Sequence, residues 1–512
     1  MGLLQSFRST SMRSSMSEKS KPTVNWTGRP LAERTLIILI TVYVLGFFCL
    51  AARCYNVFGR DTEALAQFNS MMWSTLHGRL FQINCMTFPG QQQLLSNFAI
   101  HAAYFWIFLF PIYAIAASPY TLLFLQSLCL GLAAIPAYRI AHNLLQDDWA
   151  AVLLAAAFVL LPPVVSQNLN QVQEPSFLPF FLLFTFHYFL QKRFGPFMIW
   201  AFLSCLNREN VPLAIVMFGF WSLCEKRNWR WFTGPMVLGT VYFLFAIFIA
   251  MPWFRKGETW HVTAQFANLG NSPVEIIQNI VTHPSVLFCT LCRGENIHYF
   301  ILLLQPLGWG LPLATPAALV ALPDLAANLL SGNGALRVIA WHYNVLVSCA
   351  LFVSTVKCLS WLGALQRKNW PGGRPNLVPS ATILILAVAH WFLWLQPSFF
   401  VELPQQAALQ GAILCVPADA SVLAPERLLA HFSSRTKFDS LDPLTTLPVY
   451  AKSFEYVVVD ANERQYGRPL TKQILDPLFS SGEYELVFSQ QYVFVFHRKF
   501  TRVNELDLSS RK

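Results

Sequence analysis

FMIWAFLSCLNRENVPLAIVMFGFWSLC, residues 197–224, is an apolar stretch long enough to span a membrane, with Asn207-Arg208-Glu209-Asn210 set in its middle. Charged and amide groups at that depth are tolerated only where they are buried in protein or line a wet cavity. The stretch therefore predicts two half-length helices that dip in and return, with an Arg-Glu pair at their turn. A second interrupted stretch, 298–322, carries Pro306, Gly308, Gly310, Pro312 and Pro316 and reads the same way.

The rest of the chain agrees with a membrane setting. Hydrophobic residues make up 55% and charged residues 12% of 512, and mean hydropathy is +0.44. A soluble chain carries about 25% charged residues, so this one cannot cover a water-facing exterior of normal size. That excludes a disordered chain, a disulfide-stapled secreted module and a soluble enzyme. A span needs about 20 apolar residues. Besides the interrupted stretches, runs at 35–52, 98–117, 119–141, 149–165, 176–191, 231–251, 345–363 and 380–397 meet or approach that length. The expected fold class is an α-helical polytopic membrane protein with roughly 9–11 membrane helices.

Net charge is +10, from 36 Lys and Arg against 26 Asp and Glu. The excess lies in short loops, where the positive-inside rule accounts for it without nucleic acid. Gln191-Lys192-Arg193, Glu225–Arg230 and Gln366-Arg367-Lys368 should be cytosolic. Residues 53–97, 166–175, 252–297, 320–344 and the tail after 398 then share the opposite face. This parity requires that 98–117, broken at Pro111, is not a simple crossing. Residues 1–34 form a Ser-rich basic cytosolic tail, and Thr35–Ala52 reads as an uncleaved signal anchor. Met1-Gly2 with Ser6 fits a myristoylation pattern, and Asn25-Trp26-Thr27 is a glycosylation sequon that stays unused on a cytosolic tail. The 11 cysteines show no framework spacing. Cys289 and Cys292 form a lone CxxC, and whether Cys54 and Cys85 pair is left open by the sequence.

After Pro397 the composition changes. Ala412–Val416, Tyr456–Asp460, Tyr484–Phe488 and Tyr492–Phe496 read as strands, with a helix near 424–432. The domain reading is thus a tail 1–34, a transmembrane domain 35–397 with first outer loop 53–97, and a non-cytosolic α/β domain 398–512 that should cover the mouth of a membrane cavity.

Polar groups that the hydrophobic pattern does not absorb are candidate site residues. In the first outer loop, Asp61 stands at the cap and Glu63 in the first turn of an amphipathic segment 62–77 expected on the membrane surface. They suit helix capping, and equally a general base whose burial tunes its affinity for protons. His101, Glu174, Arg208, Glu209 and His342-Tyr343 stand within or at the ends of apolar runs. Each has a structural alternative, an ion pair, a cap or an interfacial histidine. Their number suggests one outer cavity lined by all of them.

The order of these motifs resembles a domain-of-unknown-function family of multi-spanning proteins grouped with GT-C glycosyltransferases. Asp61 is followed six residues later by Gln67, then by Trp73-Ser74-Thr75-Leu76-His77-Gly78. Asn97-Phe98-Ala99-Ile100-His101, the Pro-rich 306–316, the stretch 321–331 and His342-Tyr343 follow in the family's order, so the resemblance covers about residues 36–500. Two departures stand out. Val172-Gln173-Glu174 replaces His-Pro-Glu, and Arg208-Glu209-Asn210 replaces Lys-Glu-Asp. The resemblance implies a GT-C-like bundle with a small C-terminal α/β domain, a catalytic acid in the first outer loop and a lipid-phosphate-linked sugar donor.

Two functional classes follow. In the first, a membrane glycosyltransferase takes sugar from a polyprenyl phosphate, with Asp61 and neighbouring Glu63 as base. Gln67, His101, Glu174, Arg208, Glu209, His342 and Tyr343 then bind substrate, the guanidinium matching phosphate oxygens bidentately. A divalent metal is compatible with this set but not required by it; membrane lipid is the partner and the acceptor is open. In the second, the broken helices serve a transporter or flippase of an amphipathic solute. A non-catalytic scaffold that keeps the fold is the remaining alternative.

Overall fold

The computed structural model describes residues 29–85, 93–170, 172–256, 265–270, 272–369, 374–395, 397–441, 453–462, 464–465, 468–469 and 471–499. The basic segment 1–28, with its Met1–Ser6 pattern and the Asn25 sequon, lies outside the described residues. Among the described residues, four helices are long and apolar enough to cross a membrane: Leu31–Asn56, Pro119–Leu145, Trp229–Arg255 and His342–Lys368. Asp148–Val159 and Pro162–Leu169 form a fifth such element bent by 50°. The remaining apolar helices of the bundle are shorter and pack around these.

The long helices divide into inner and outer. Leu31–Asn56 and Trp229–Arg255 present Ile37, Ile38 and Val42, and Val237, Val241, Phe248 and Ile249, outward, the surface expected to meet hydrocarbon. Pro119–Leu145 and His342–Lys368 are mostly enclosed. Close approach of the helices is set by glycine. A Cβ at Gly239 would stand 2.4 Å from the Pro212 carbonyl oxygen, and one at Gly131 2.6 Å from Val44 Cγ2. Small residues that let backbones approach are the usual device for packing helices where no hydrophobic force drives them together.

Both interrupted stretches are broken. Residues 197–224 divide into Phe194–Cys205 and Val211–Cys224, with 206–210 between them. Residues 298–322 become the helix Gly294–Leu304 and a series of short 3-10 turns leading into Leu322–Leu330. The run 98–117 is also broken, but not at Pro111, which lies inside the helix Trp106–Ile115. The break falls at 101–105, because the Ala102 amide donates to the Glu209 carboxylate and the Phe105 amide to the Leu206 carbonyl. The ten-residue remainder spans about 15 Å, half the hydrocarbon thickness.

The C-terminal region builds a five-stranded sheet in the order Phe438–Ser440, Val422–Ala424, Tyr456–Asp460, Val493–Arg498, Tyr484–Gln490. The first three strands run parallel and the last two pairings are antiparallel. Val457, Val458 and Val459 are buried together, as expected for a central strand covered on both faces. Ala412–Val416 is not a strand. It ends the helix Gln406–Cys415, whose Ala408, Leu409 and Ala412 are buried, because the run is continuous with the helix formers Gln406-Ala407-Ala408-Leu409-Gln410.

The first-loop helix also departs from expectation. Glu63–Leu76 does not lie on a surface; Leu65, Phe68, Asn69, Met71 and Met72 are buried. The C-terminal region covers it. The Thr62 amide and hydroxyl both donate to the Glu426 carbonyl (3.1 and 2.9 Å), and the Ala430 amide donates to the Thr62 hydroxyl at 3.0 Å. Asn69 donates to Ser433 at 2.8 Å, Asn84 donates to the Arg435 carbonyl at 2.8 Å, and Tyr55 stacks on His431 at 4.1 Å.

Gly239→Ala should lower stability by roughly 1–3 kcal/mol through overpacking. Gly46→Ala, where a Cβ meets nothing within 4 Å, should be neutral. Thermal unfolding of the two variants in detergent checks this, and equal melting temperatures would sink the close-packing account.

Candidate functional site: a charged cavity beside an apolar groove

The break at 206–210 sets Arg208 and Glu209 against His101. His101 Nδ1 lies 3.0 Å from Glu209 Oε1, and the Ala102 amide donates to Glu209 Oε2 at 3.1 Å. Arg208 reaches His101 Nε2 at 3.2 Å and Glu209 at 3.6 Å. A guanidinium can only donate, so His101 Nε2 accepts and its proton sits on Nδ1, donated to Glu209. These bonds leave the face of Arg208 directed into a cavity of about 450 Å³ lined also by Asn210, Asp324, His342 and Tyr343. Ligand cavities fall in this range of volume. Glu174 is buried, accepts from Asn97 at 3.4 Å, and is a charge neighbour of Arg208.

An apolar groove is lined by residues close in sequence to those of the cavity. Between the helices Phe194–Cys205 and Trp229–Phe245 lies a groove of about 900 Å³ lined by Tyr104, Phe202, Leu206, Val237, Val241 and Tyr242 among others. Tyr104 follows His101 by three residues, and Leu206 precedes Arg208 by two. Segments 101–104 and 206–208 therefore contribute residues to the linings of both groove and cavity.

The first-loop acids sit elsewhere. Asp61 accepts from the Glu63 amide at 2.8 Å and lines a crevice of about 20 Å³ with Arg60, Thr62, Asn168 and Leu169. Gln67 donates to Glu63 at 3.1 Å. Burial, then the charges of Asp61 and Asp439, push the Glu63 carboxyl up to about 7. The sequence expectation of one common cavity is thus divided. His101, Arg208, Glu209, His342 and Tyr343 line one space, with Glu174 behind them, while Asp61, Glu63 and Gln67 belong to the first-loop helix and are not among its lining. Nor does a C-terminal residue line that cavity. Among the described residues, the C-terminal region makes contacts with the first loop.

Some site groups escaped the sequence reading. Asp324 faces the cavity, with the Asn210 amide nitrogen 2.9 Å from each of its oxygens. Its signal was a lone acid in the apolar run Ala317–Leu330, the same kind of signal that flagged Arg208. Arg60 donates to the Leu169 carbonyl at 3.1 Å and lies 3.9 Å over the Phe399 ring. Asp439 arrives from a strand far along the chain, and no local pattern links it to Glu63. Among the described residues no group of three or more His, Cys, Asp or Glu side chains is placed to hold a metal ion.

Residues 64–494 match the family described as "Predicted membrane protein (DUF2079)". The chain belongs to that family. Among solved structures it is similar to ArnT from Cupriavidus metallidurans in the apo state, at 12% identity and TM-score 0.50, over 89% of this chain and 98% of that one. ArnT bound to undecaprenyl phosphate aligns at 12% identity and TM-score 0.48, over 90% and 99%. No curated protein matches the chain. The protein is a multi-pass membrane protein with a GT-C-like helical bundle and a small C-terminal sheet.

A carboxyl raised to about 7 contributes stability that is full at low pH and is lost as pH rises through 7. Glu63→Gln should therefore be more stable than wild type above pH 7, by up to about 3 kcal/mol, and indistinguishable near pH 4. Melting temperatures across that window decide it; a variant that is less stable at both ends would show that the carboxylate is needed charged.

Proposed function

We propose that the protein is a membrane glycosyltransferase that takes a sugar from a polyprenyl-phosphate donor on the non-cytosolic face of the membrane. The observation that carries this reading is the setting of Arg208. A largely buried guanidinium, aimed by His101 and Glu209, lines a polar cavity two residues along the chain from Leu206, which lines an apolar groove. A prenyl chain suits the groove, a phosphate the guanidinium, and a sugar the polar cavity. Arginine recognises phosphate through paired charge-assisted hydrogen bonds, and in a dry site such bonds are strong.

In the reaction, Asp61, with Glu63 beside it, takes the proton from the acceptor hydroxyl. The acceptor oxygen bonds to the sugar's anomeric carbon as the bond from that carbon to the phosphate oxygen breaks. The electron pair stays on the phosphate, and Arg208 holds the charge that develops there. Gln67 orients Glu63; Glu174 and Glu209 orient the cations; His342 and Tyr343 contact the sugar.

Binding and transfer are tested separately. Undecaprenyl phosphate should bind the full-length protein in lipid nanodiscs, and Arg208→Gln should weaken binding by roughly 10–100-fold, the worth of a charged hydrogen bond. With radiolabelled polyprenyl-phosphate sugars, Asp61→Asn should slow transfer by about 10²–10⁴-fold with donor affinity unchanged; full activity in that variant removes Asp61 as base. Movement of the lipid across reconstituted vesicles with no covalent product would favour the transporter class instead. A single cysteine at Ser481 should react with an impermeant reagent only from the non-cytosolic side, and reaction from the cytosol alone would overturn the sidedness.

A further inference from the structure

The cavity around Arg208 is short of positive charge for an anionic guest. Arg208 faces the carboxyl groups of Glu209, Glu174 and Asp324. Glu209 is occupied by His101, the Ala102 amide and Arg208 itself, and Glu174 by Asn97. Arg255 is a second positive neighbour of Glu209, and a phosphate brought to Arg208 still meets more negative charge than the two guanidinium groups offset. Like charges held close together in a poorly hydrated site do not all stay ionised, so one group must take up a proton as the phosphate enters.

Asp324 is placed to be that group. It is buried, and both its oxygens lie 2.9 Å from the single amide nitrogen of Asn210. The other end of that amide, Asn210 Oδ1, is buried with no hydrogen-bond partner. An amide serves both forms of a carboxyl: Nδ2 donates to the carboxylate, and Oδ1, after rotation about the Cβ–Cγ bond, accepts from the protonated acid. The charge change needs no backbone movement. The other titratable groups around Asp324 are Arg208, Glu209 and Tyr299, with His342 and Tyr343 on the cavity lining. Asn210, hydrogen-bonded to Asp324, can both donate and accept while staying neutral.

We propose that Asp324 takes up a proton when a phosphate binds beside Arg208, and gives it to the phosphate oxygen from which the sugar departs. The inference rests on the donor-site reading above. As the bond between anomeric carbon and phosphate oxygen breaks, its electron pair stays on that oxygen, and the Asp324 O–H protonates it. The acceptor's proton is on Asp61 at that point and leaves to water. Asp324 regains a proton from water when the next donor enters, so each turnover converts acceptor O–H and sugar phosphodiester into glycoside and phosphate monoester.

The test titrates undecaprenyl phosphate into full-length protein in nanodiscs, by calorimetry in two buffers of different ionisation enthalpy, near pH 7.5. Wild type should take up protons on binding, and Asp324→Asn should take up roughly one fewer. Over roughly pH 6 to 8.5 the wild-type affinity should fall up to about tenfold per pH unit more steeply than that of Asp324→Asn. Asp324→Glu should keep the uptake. If Asp324→Asn fails to fold, Asn210→Ser serves: loss of the Nδ2 donor leaves Asp324 already protonated in the free protein, so uptake falls there too. Wild-type uptake in these variants, with binding still lost in Arg208→Gln, overturns this proposal alone. Binding that ignores Arg208→Gln overturns the donor-site reading, and absence of binding in wild type overturns both.

Discussion

Glu209 accepts from the His101 ring and the Ala102 amide and is ion-paired with the Arg208 guanidinium at 3.6 Å, and the surrounding backbone is arranged to allow it. A charged pair inside an apolar bundle is costly unless each partner finds hydrogen bonds. Satisfying Glu209 requires the chain at 101–105 to leave helical geometry and the chain at 206–210 to interrupt what would otherwise be one span. Both breaks expose main-chain groups, and each answers the other: Phe105 N bonds to Leu206 O, and Ala102 N to the Glu209 side chain. The cost of irregular backbone is offset by the same contacts that aim Arg208. Removing Glu209 would strand a buried guanidinium and undo both breaks together, so the cavity is a property of this contact and not of the helices taken singly.

A second set of contacts fixes the first loop, by different means. Thr62 sits beside Asp61 and is held by main-chain groups at Glu426 and Ala430. Asn69 continues the seam to Ser433, and Asn84 reaches Arg435. These are neutral hydrogen bonds between segments more than 350 residues apart in sequence. They make the C-terminal sheet region a support for the acids of the first loop. The burial of Glu63 follows from that support, since Asp439 on an edge strand of the sheet is one of the charges that raise its proton affinity.

Much of the bundle was legible because hydrophobic runs of span length leave few alternatives. The interruption at Asn207–Asn210 was readable for the same reason: charge at that depth demands a partner. The partner's identity was not readable, because His101 lies more than a hundred residues away and only the folded chain joins them. Pro111 drew the break to the wrong place. Proline is a local signal, whereas the true break is made by long-range bonds to Glu209 and Leu206. Ala412–Val416 failed similarly: a short apolar run fits a strand or a helix end, and the preceding alanines decided it. The first-loop helix was correctly amphipathic, but periodicity cannot distinguish lipid from a covering domain as the thing its apolar face meets.

The segment 341–344 ties the two halves together. Trp341 lines an apolar pocket of about 180 Å³ with Arg60, Trp391 and Phe399, beside the first loop, while His342 and Tyr343, next in sequence, line the polar cavity of Arg208. One short turn therefore contributes to the walls of both spaces. Its position is fixed by Asn344, which donates to the Val338 carbonyl at 2.9 Å and accepts from the Tyr299 hydroxyl at 2.7 Å. Asn328 donates to the same hydroxyl from the helix that carries Asp324. The Asn344–Tyr299–Asn328 chain thus couples the partition to Asp324's own helix. Neutral, buried and mutually satisfied amides of this kind hold a wall rigid without adding charge. That suits a partition with a cluster of charged side chains on one side and an apolar pocket on the other.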